Sequence, residues 1–66
     1  MNVGKSIKHA LVKRGINQTQ LAAQMNRTRV WINQLANSRS ASMATVEDLA
    51  AAFDMKVSDF LALGED

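Results

Sequence analysis

The sequence predicts an all-α fold, a compact five-helix bundle that contains a helix-turn-helix. Three observations carry this. Apolar residues recur at spacings of three and four along five short segments, which is the period of a helix, and Val and Ile do not alternate with polar residues as they would in strands. The 66 residues include no proline and only three glycines, so little interrupts the helical segments. Most connections run two to five residues, and the tightest is Asn26-Arg27-Thr28; so short a turn between two short helices is the helix-turn-helix arrangement.

The first helix is expected over about residues 2–14, with Val3, Ile7 and Leu11 on one face and Gly15 placed for a left-handed cap. Asn17 and Gln20 have the spacing of a capping box and open a second helix over 18–25, with Leu21, Ala22 and Met25 as its stripe. The turn that follows needs a residue tolerant of positive φ, and Asn26 supplies it. Thr28 caps a third helix over 29–37, with Ile32 and Leu35 facing inward. Ser42 or Thr45 opens a fourth over 43–53, whose stripe is Val46, Leu49, Ala50 and Phe53. Glu47 and Asp48 in its early turns suit the positive end of the helix dipole. Ser58 caps a short fifth helix over 59–63, and its Phe60 and Leu63 close the core. No segment repeats and no linker separates two units, so residues 1–66 are expected to form one domain.

Composition narrows the function classes. An apolar share of 47% and a charged share of 21% are those of a globular chain. No apolar run approaches ~18 residues and no signal peptide opens the chain, so no membrane span is expected and the location is expected to be cytoplasmic. The absence of cysteine excludes disulfides and thiolate metal sites. A domain this small then relies on close helix packing, a partner chain, or both. Charge is uneven: Lys5, Lys8, Lys13, Arg14, Arg27, Arg29 and Arg39 give residues 1–46 a charge of +7 without one acid. Residues 47–66 hold every acid and, with Lys56, sum to −5. The split predicts a cationic face, an anionic face and a polyanionic partner.

Catalysis finds no support. His9 is the single histidine and is expected on the surface of the first helix. Glu47 and Asp48 are adjacent on a helix and point in different directions. Gly4-Lys5-Ser6 matches only the tail of a phosphate loop, and no protease, esterase or metal-ligand spacing occurs. No enzymatic activity, cofactor, metal or small-molecule substrate is expected.

The third helix is the informative element. With Ile32 and Leu35 turned inward, its outer surface holds Arg29, Val30, Asn33, Gln34 and Asn37, with hydrogen-bonding side chains, one cation and no acid. A merely solvated face usually mixes in Glu or Asp. Arg bridges two acceptors on guanine, Gln pairs with adenine, and Val30 is placed for a thymine methyl, so Arg29, Val30, Asn33 and Gln34 are the expected base readers of double-stranded DNA. Gln18 at the first turn of the second helix, and Thr28, Arg27, Asn37 and Arg39 around the third, are expected on the DNA backbone. Trp31 is expected to pack partly on the core edge or on the second helix, with a sugar–phosphate contact through its ring N–H as its alternative role.

The stretches Ile16-Asn17-Gln18-Thr19-Gln20-Leu21-Ala22, Leu49-Ala50-Ala51-Ala52-Phe53 and Val57-Ser58-Asp59-Phe60-Leu61 together resemble the Cro/C1-type helix-turn-helix family, which includes lambdoid phage repressors, from about residue 3 to residue 61. The resemblance implies a five-helix bundle with its third helix in the major groove. It implies that Arg29, Val30 and Gln34 hold base-reading positions, and that Gln18, Thr28 and Asn37 touch phosphates or brace the readers. The chain departs from the pattern at several positions. Asn26 replaces the usual turn glycine, Ser38 the glycine after the third helix, and Trp31 a smaller polar residue. Leu11 and Ala36 replace an Arg–Glu pair, an apolar swap of both partners that is tolerated. The loop 38–42 lacks the common proline.

Reading two successive major grooves needs helices about 34 Å apart, so a homodimer on a pseudo-palindromic operator is expected, joined from the end of the third helix onward or through the last helix and tail. Within these 66 residues no effector domain is expected, so regulation would follow concentration, as in a Cro-like repressor. The alternatives are a restriction–modification controller, an antitoxin, a protein-interaction module on the same fold, or a membrane-surface peptide using the basic first helix.

Overall fold

Each helix of this chain starts where a side chain can accept one of its free N–H groups, with one exception. The computed structural model describes residues 2–65. It contains α1 (Val3–Arg14), α2 (Gln18–Gln24), α3 (Arg29–Ala36), α4 (Met43–Ala52) and α5 (Val57–Ala62), and no strand among the described residues. Asn2 Oδ1 accepts from Lys5 N–H at 3.0 Å to open α1. Asn17 and Gln20 form the expected reciprocal capping box at 2.8 and 2.9 Å. Thr28 Oγ1 accepts from Trp31 N–H at 3.1 Å. Of the two candidates for α4, Ser42 is the cap, accepting from Thr45 N–H at 3.2 Å while its hydroxyl donates to Thr45 Oγ1.

The exception corrects the fifth helix. It starts at Val57 rather than Asp59; Lys56 stands at the cap position without a side-chain bond, and Ser58 lies inside the first turn. Phe60 N–H already donates to Lys56 C=O at 2.9 Å. The earlier start puts half-buried Val57 on the same face as Phe60 and Leu61. Partial burial of that extra side chain is worth about as much as the hydroxyl cap forgone, about 1 kcal/mol. The other four helices agree with expectation to within a residue at each end.

Three helices end the same way. Ile16 N–H donates to Leu11 C=O, Arg27 N–H to Ala22 C=O and Met55 N–H to Ala50 C=O, and in each case the N–H of the residue before donates to the carbonyl three residues back; this is the Schellman pattern. It needs a left-handed residue at the pivot, and Gly15 (φ 67°), Asn26 (φ 57°) and Asp54 (φ 56°) fill that place. The Gly15 and Asn26 pivots were expected from sequence; Asp54 was not. Side chains from elsewhere cover carbonyls at the end of α4, where Gln24 Nε2 donates to Ala52 C=O at 2.9 Å and Arg14 to Asp54 C=O at 3.1 Å.

The core is continuous. Val3, Ile7, Ala10 and Leu11 of α1 meet Leu21 and Ala22 of α2, Ile32 and Ala36 of α3, Val46, Leu49, Ala50 and Phe53 at α4, and Phe60 of α5. Leu35, Met25 and Leu63 are only partly buried against it. Phe53 and Phe60 stack with ring centroids 5.9 Å apart. Buried Leu11 and Ala36 stand in this core as the apolar pair expected from sequence.

Two glycines permit backbone to touch backbone. Val3 N–H donates to Arg39 C=O at 2.9 Å and Gly4 N–H to Ser38 C=O at 2.8 Å, which fastens the start of α1 to the loop after α3. A Cβ on Gly4 would collide with the Ala36 and Ser38 carbonyls. At the other end, a Cβ on Gly64 would collide with Asn2 C=O and Ser6 Oγ. The Ser6 hydroxyl itself is fully buried and has no hydrogen-bond partner among the described residues.

Candidate nucleic-acid interface

The α2–turn–α3 unit determines what α3 can present. The capping box starts α2, the Asn26 pivot reverses the chain, and Thr28 starts α3 two residues later. Ile32 and Ala36 then anchor α3 from below, with Ile32 fully buried. Residues on the opposite face must point outward: Arg29, Val30, Asn33 and Gln34 are all exposed, Val30 by 63%. These positions lie at i, i+1, i+4 and i+5, which makes one contiguous helical surface. It offers a guanidinium, two carboxamides and a branched alkyl group, the groups that match base edges in a major groove.

The flanking residues divide by what they already do. Gln18 is half-buried at the first position of α2. Thr28 uses its oxygen lone pair for the cap, which leaves its hydroxyl proton to donate outward. Asn37 is exposed, but one of its amide hydrogens is engaged with Asn33 C=O at 3.0 Å. Ser38 Oγ donates to Gln34 C=O at 2.9 Å. These two bonds cover carbonyls at the end of α3, and they explain how the helix ends without a glycine at position 38: Asn37 closes it at φ −102°, outside the left-handed region. The sequence signal for this was present in Asn37-Ser38, two short polar side chains after a helix.

Trp31 is half-buried and packs against the core edge, as expected from sequence. What the sequence did not reveal is that the Arg27 guanidinium lies 4.7 Å from its ring centroid. Such stacking holds the cation over the indole face at the entrance of α3. Arg39 lies on the loop after α3, exposed, with its backbone carbonyl tied to α1.

Charge is less cleanly divided in space than along the chain, which corrects the two-face expectation. Lys13 and Arg14 line a depression together with Asp54 and Asp59, and Arg27 lines one with Asp48. Lys5, Lys8 and Arg39 instead line one cleft, and among the described residues its lining includes no carboxylate. The cause is the α1 C-terminus, which points at the α4–α5 turn and takes its two cations to the acidic end. His9 is exposed, as expected. Among the described residues no group of three or more His, Cys, Asp or Glu could hold a metal ion, and no helix is long and apolar enough to cross a membrane.

Comparison with known families gives a match over residues 6–66 to the Cro/C1-type HTH DNA-binding domain. No curated protein matches the chain.

Proposed function

From the premise that this chain belongs to the Cro/C1-type helix-turn-helix DNA-binding domain family, we propose that it is a sequence-specific regulator of transcription that binds a pseudo-palindromic double-stranded operator as a homodimer. The observation that carries this reading is the outward face of α3, where Arg29, Val30, Asn33 and Gln34 stand together over the buried Ile32. Arg29 and Gln34 read base edges by hydrogen bonds, with Asn33 beside them, and Val30 contacts a methyl group. Gln18, Thr28, Arg27 and Arg39 hold phosphates and set the register, with Asn37 bracing the end of the reading helix. Trp31 serves the backbone set by holding Arg27 in place.

The domain measures 27 Å along its longest axis, short of the roughly 34 Å between successive major grooves, so reading both takes two copies. Met43 at the start of α4 is 57% exposed and lies past the end of α3, on the part of the chain proposed to face the second copy. A dimer seated on an operator that overlaps a promoter excludes polymerase, which is repression by occupancy, in the cytoplasm or on the nucleoid. This reading contains no catalytic step and no cofactor.

Selection of bound sites from random duplex DNA tests it directly. The expected product is an inverted repeat with half-sites about one helical turn apart. A single unrepeated site would remove the dimer. Failure to retain any duplex at low salt would favour a protein-interaction module on this fold.

A further inference from the structure

Arg27 stands between two partners. Its guanidinium lies 4.7 Å from the Trp31 ring centroid, and it also lines, with Asp48 of α4, an open depression of about 490 Å³. The frame around it is held at several points. Arg27 N–H donates to Ala22 C=O at 2.8 Å in the pivot after α2. Gln24 Nε2 donates to Ala52 C=O at 2.9 Å, which ties the end of α2 to the end of α4, one turn past Asp48. Trp31 N–H donates to Thr28 Oγ1 at 3.1 Å, and its side chain is half-buried against the core edge. Backbone and indole are thus fixed, whereas the Arg27 and Asp48 side chains are both exposed and able to move.

The two partners leave the arginine in different states. Over an aromatic face a guanidinium keeps its charge and its N–H donors for an incoming phosphate. Paired with a carboxylate, its donors are taken up two at a time and its charge is neutralised. An exposed cation–π contact and an exposed ion pair are of similar strength, so losing one partner moves the arginine toward the other. We propose that Trp31 is a positioning residue that holds Arg27 out of an ion pair with Asp48, and thereby sets how strongly Arg27 grips the DNA backbone. This rests on the DNA-binding reading above and deepens it: Asp48 competes with phosphate for the arginine, and the indole decides between them.

The test is a double-mutant cycle on the selected duplex and on unrelated duplexes, measured across a salt series. Trp31→Leu keeps an apolar side chain at the core edge and removes the ring face. It is expected to weaken every duplex about three- to tenfold and to lower the salt slope by about one per protomer, with base preference as in wild type. Trp31→Phe brings back a ring without a ring N–H and should recover much of the loss. Arg27→Gln should match Trp31→Leu, and combining the two should add nothing. Asp48→Asn should restore binding to Trp31→Leu and change wild type much less. Poor folding would not give that restoration, because removing a carboxylate on α4 does not rebuild the core edge. Trp31→Phe as weak as Trp31→Leu would overturn the positioning role in favour of a direct contact through the indole N–H. Additive losses in Arg27→Gln and Trp31→Leu, or the same effect of Asp48→Asn in both backgrounds, would also overturn it while leaving the reading helix intact. If wild type binds no duplex, the DNA-binding reading itself fails and this role with it.

Discussion

Arg29 and Gln34 are exposed on the same surface of α3, but only a base-reading role makes their loss depend on sequence. Arg29→Ala and Gln34→Ala are each expected to cost about 1–3 kcal/mol on the preferred site and to broaden the set of sequences bound. Gln18→Ala should weaken preferred and unrelated duplexes by the same factor, because a phosphate contact carries no base information. Titrating the three variants against a preferred site and its single-base changes separates these outcomes; unchanged preference in Arg29→Ala and Gln34→Ala would refute the assignment. Ser6 calls for the opposite kind of change. Its hydroxyl is buried without a partner among the described residues, so Ser6→Ala is expected to leave stability unchanged or raise it by up to about 1 kcal/mol in urea unfolding. The exposure of Arg29, Val30, Asn33 and Gln34 was legible in the sequence because Ile32 fixes the phase of the helix. The Arg27–Trp31 stack was not, since it depends on where the turn places a flexible side chain in space.

Helix starts were more legible than helix ends. Asn17, Thr28 and Ser42 carry their oxygens within three residues of the N–H they accept, so the signal is local. The start of α5 is set instead by burial of Val57, a tertiary effect no local pattern contains. This leaves a helix with an empty cap. Lys56→Ser should fill it and raise stability by about 0.5–1 kcal/mol, read as a higher midpoint in thermal unfolding; no rise would mean that the free N–H groups of α5 are already satisfied. Glycine roles were legible only where a turn required them. Gly15 follows from its place after a basic last turn, whereas Gly4 sits inside α1, where a glycine weakens a helix by its own propensity. Its reason is contact between distant backbone segments. Gly4→Ala is accordingly expected to destabilise the fold by about 1–3 kcal/mol despite alanine's better helix propensity, and a neutral result in urea unfolding would show that the α1 start can move off the loop.

For the molecule as a whole, charge placement governs how binding responds to solution conditions. With two to four phosphates held per protomer, a dimer would lose affinity with a log–log salt slope of roughly −4 to −7. A slope near −1 in the same titration would contradict a dimer docked through both protomers. The basic-then-acidic order of the chain pointed to this polyanion chemistry, but only the path of α1 shows that Lys13 and Arg14 lie beside Asp54 and Asp59, leaving Lys8 and Arg39 near the end of α3.

The packing of Gly64 on Asn2 has one more consequence, for engineering two copies into a single polypeptide. Because position 64 and position 2 sit side by side, a tandem fusion needs a tether that covers only the separation between the two copies of the proposed dimer. The reach of a Gly/Ser tether grows as about 5–6 Å times the square root of its length, so a few tens of residues suffice for one groove-to-groove step. Such a fusion would hold its second unit at an effective concentration in the millimolar range, and operator occupancy would then lose the second-order dependence that a dissociating pair imposes.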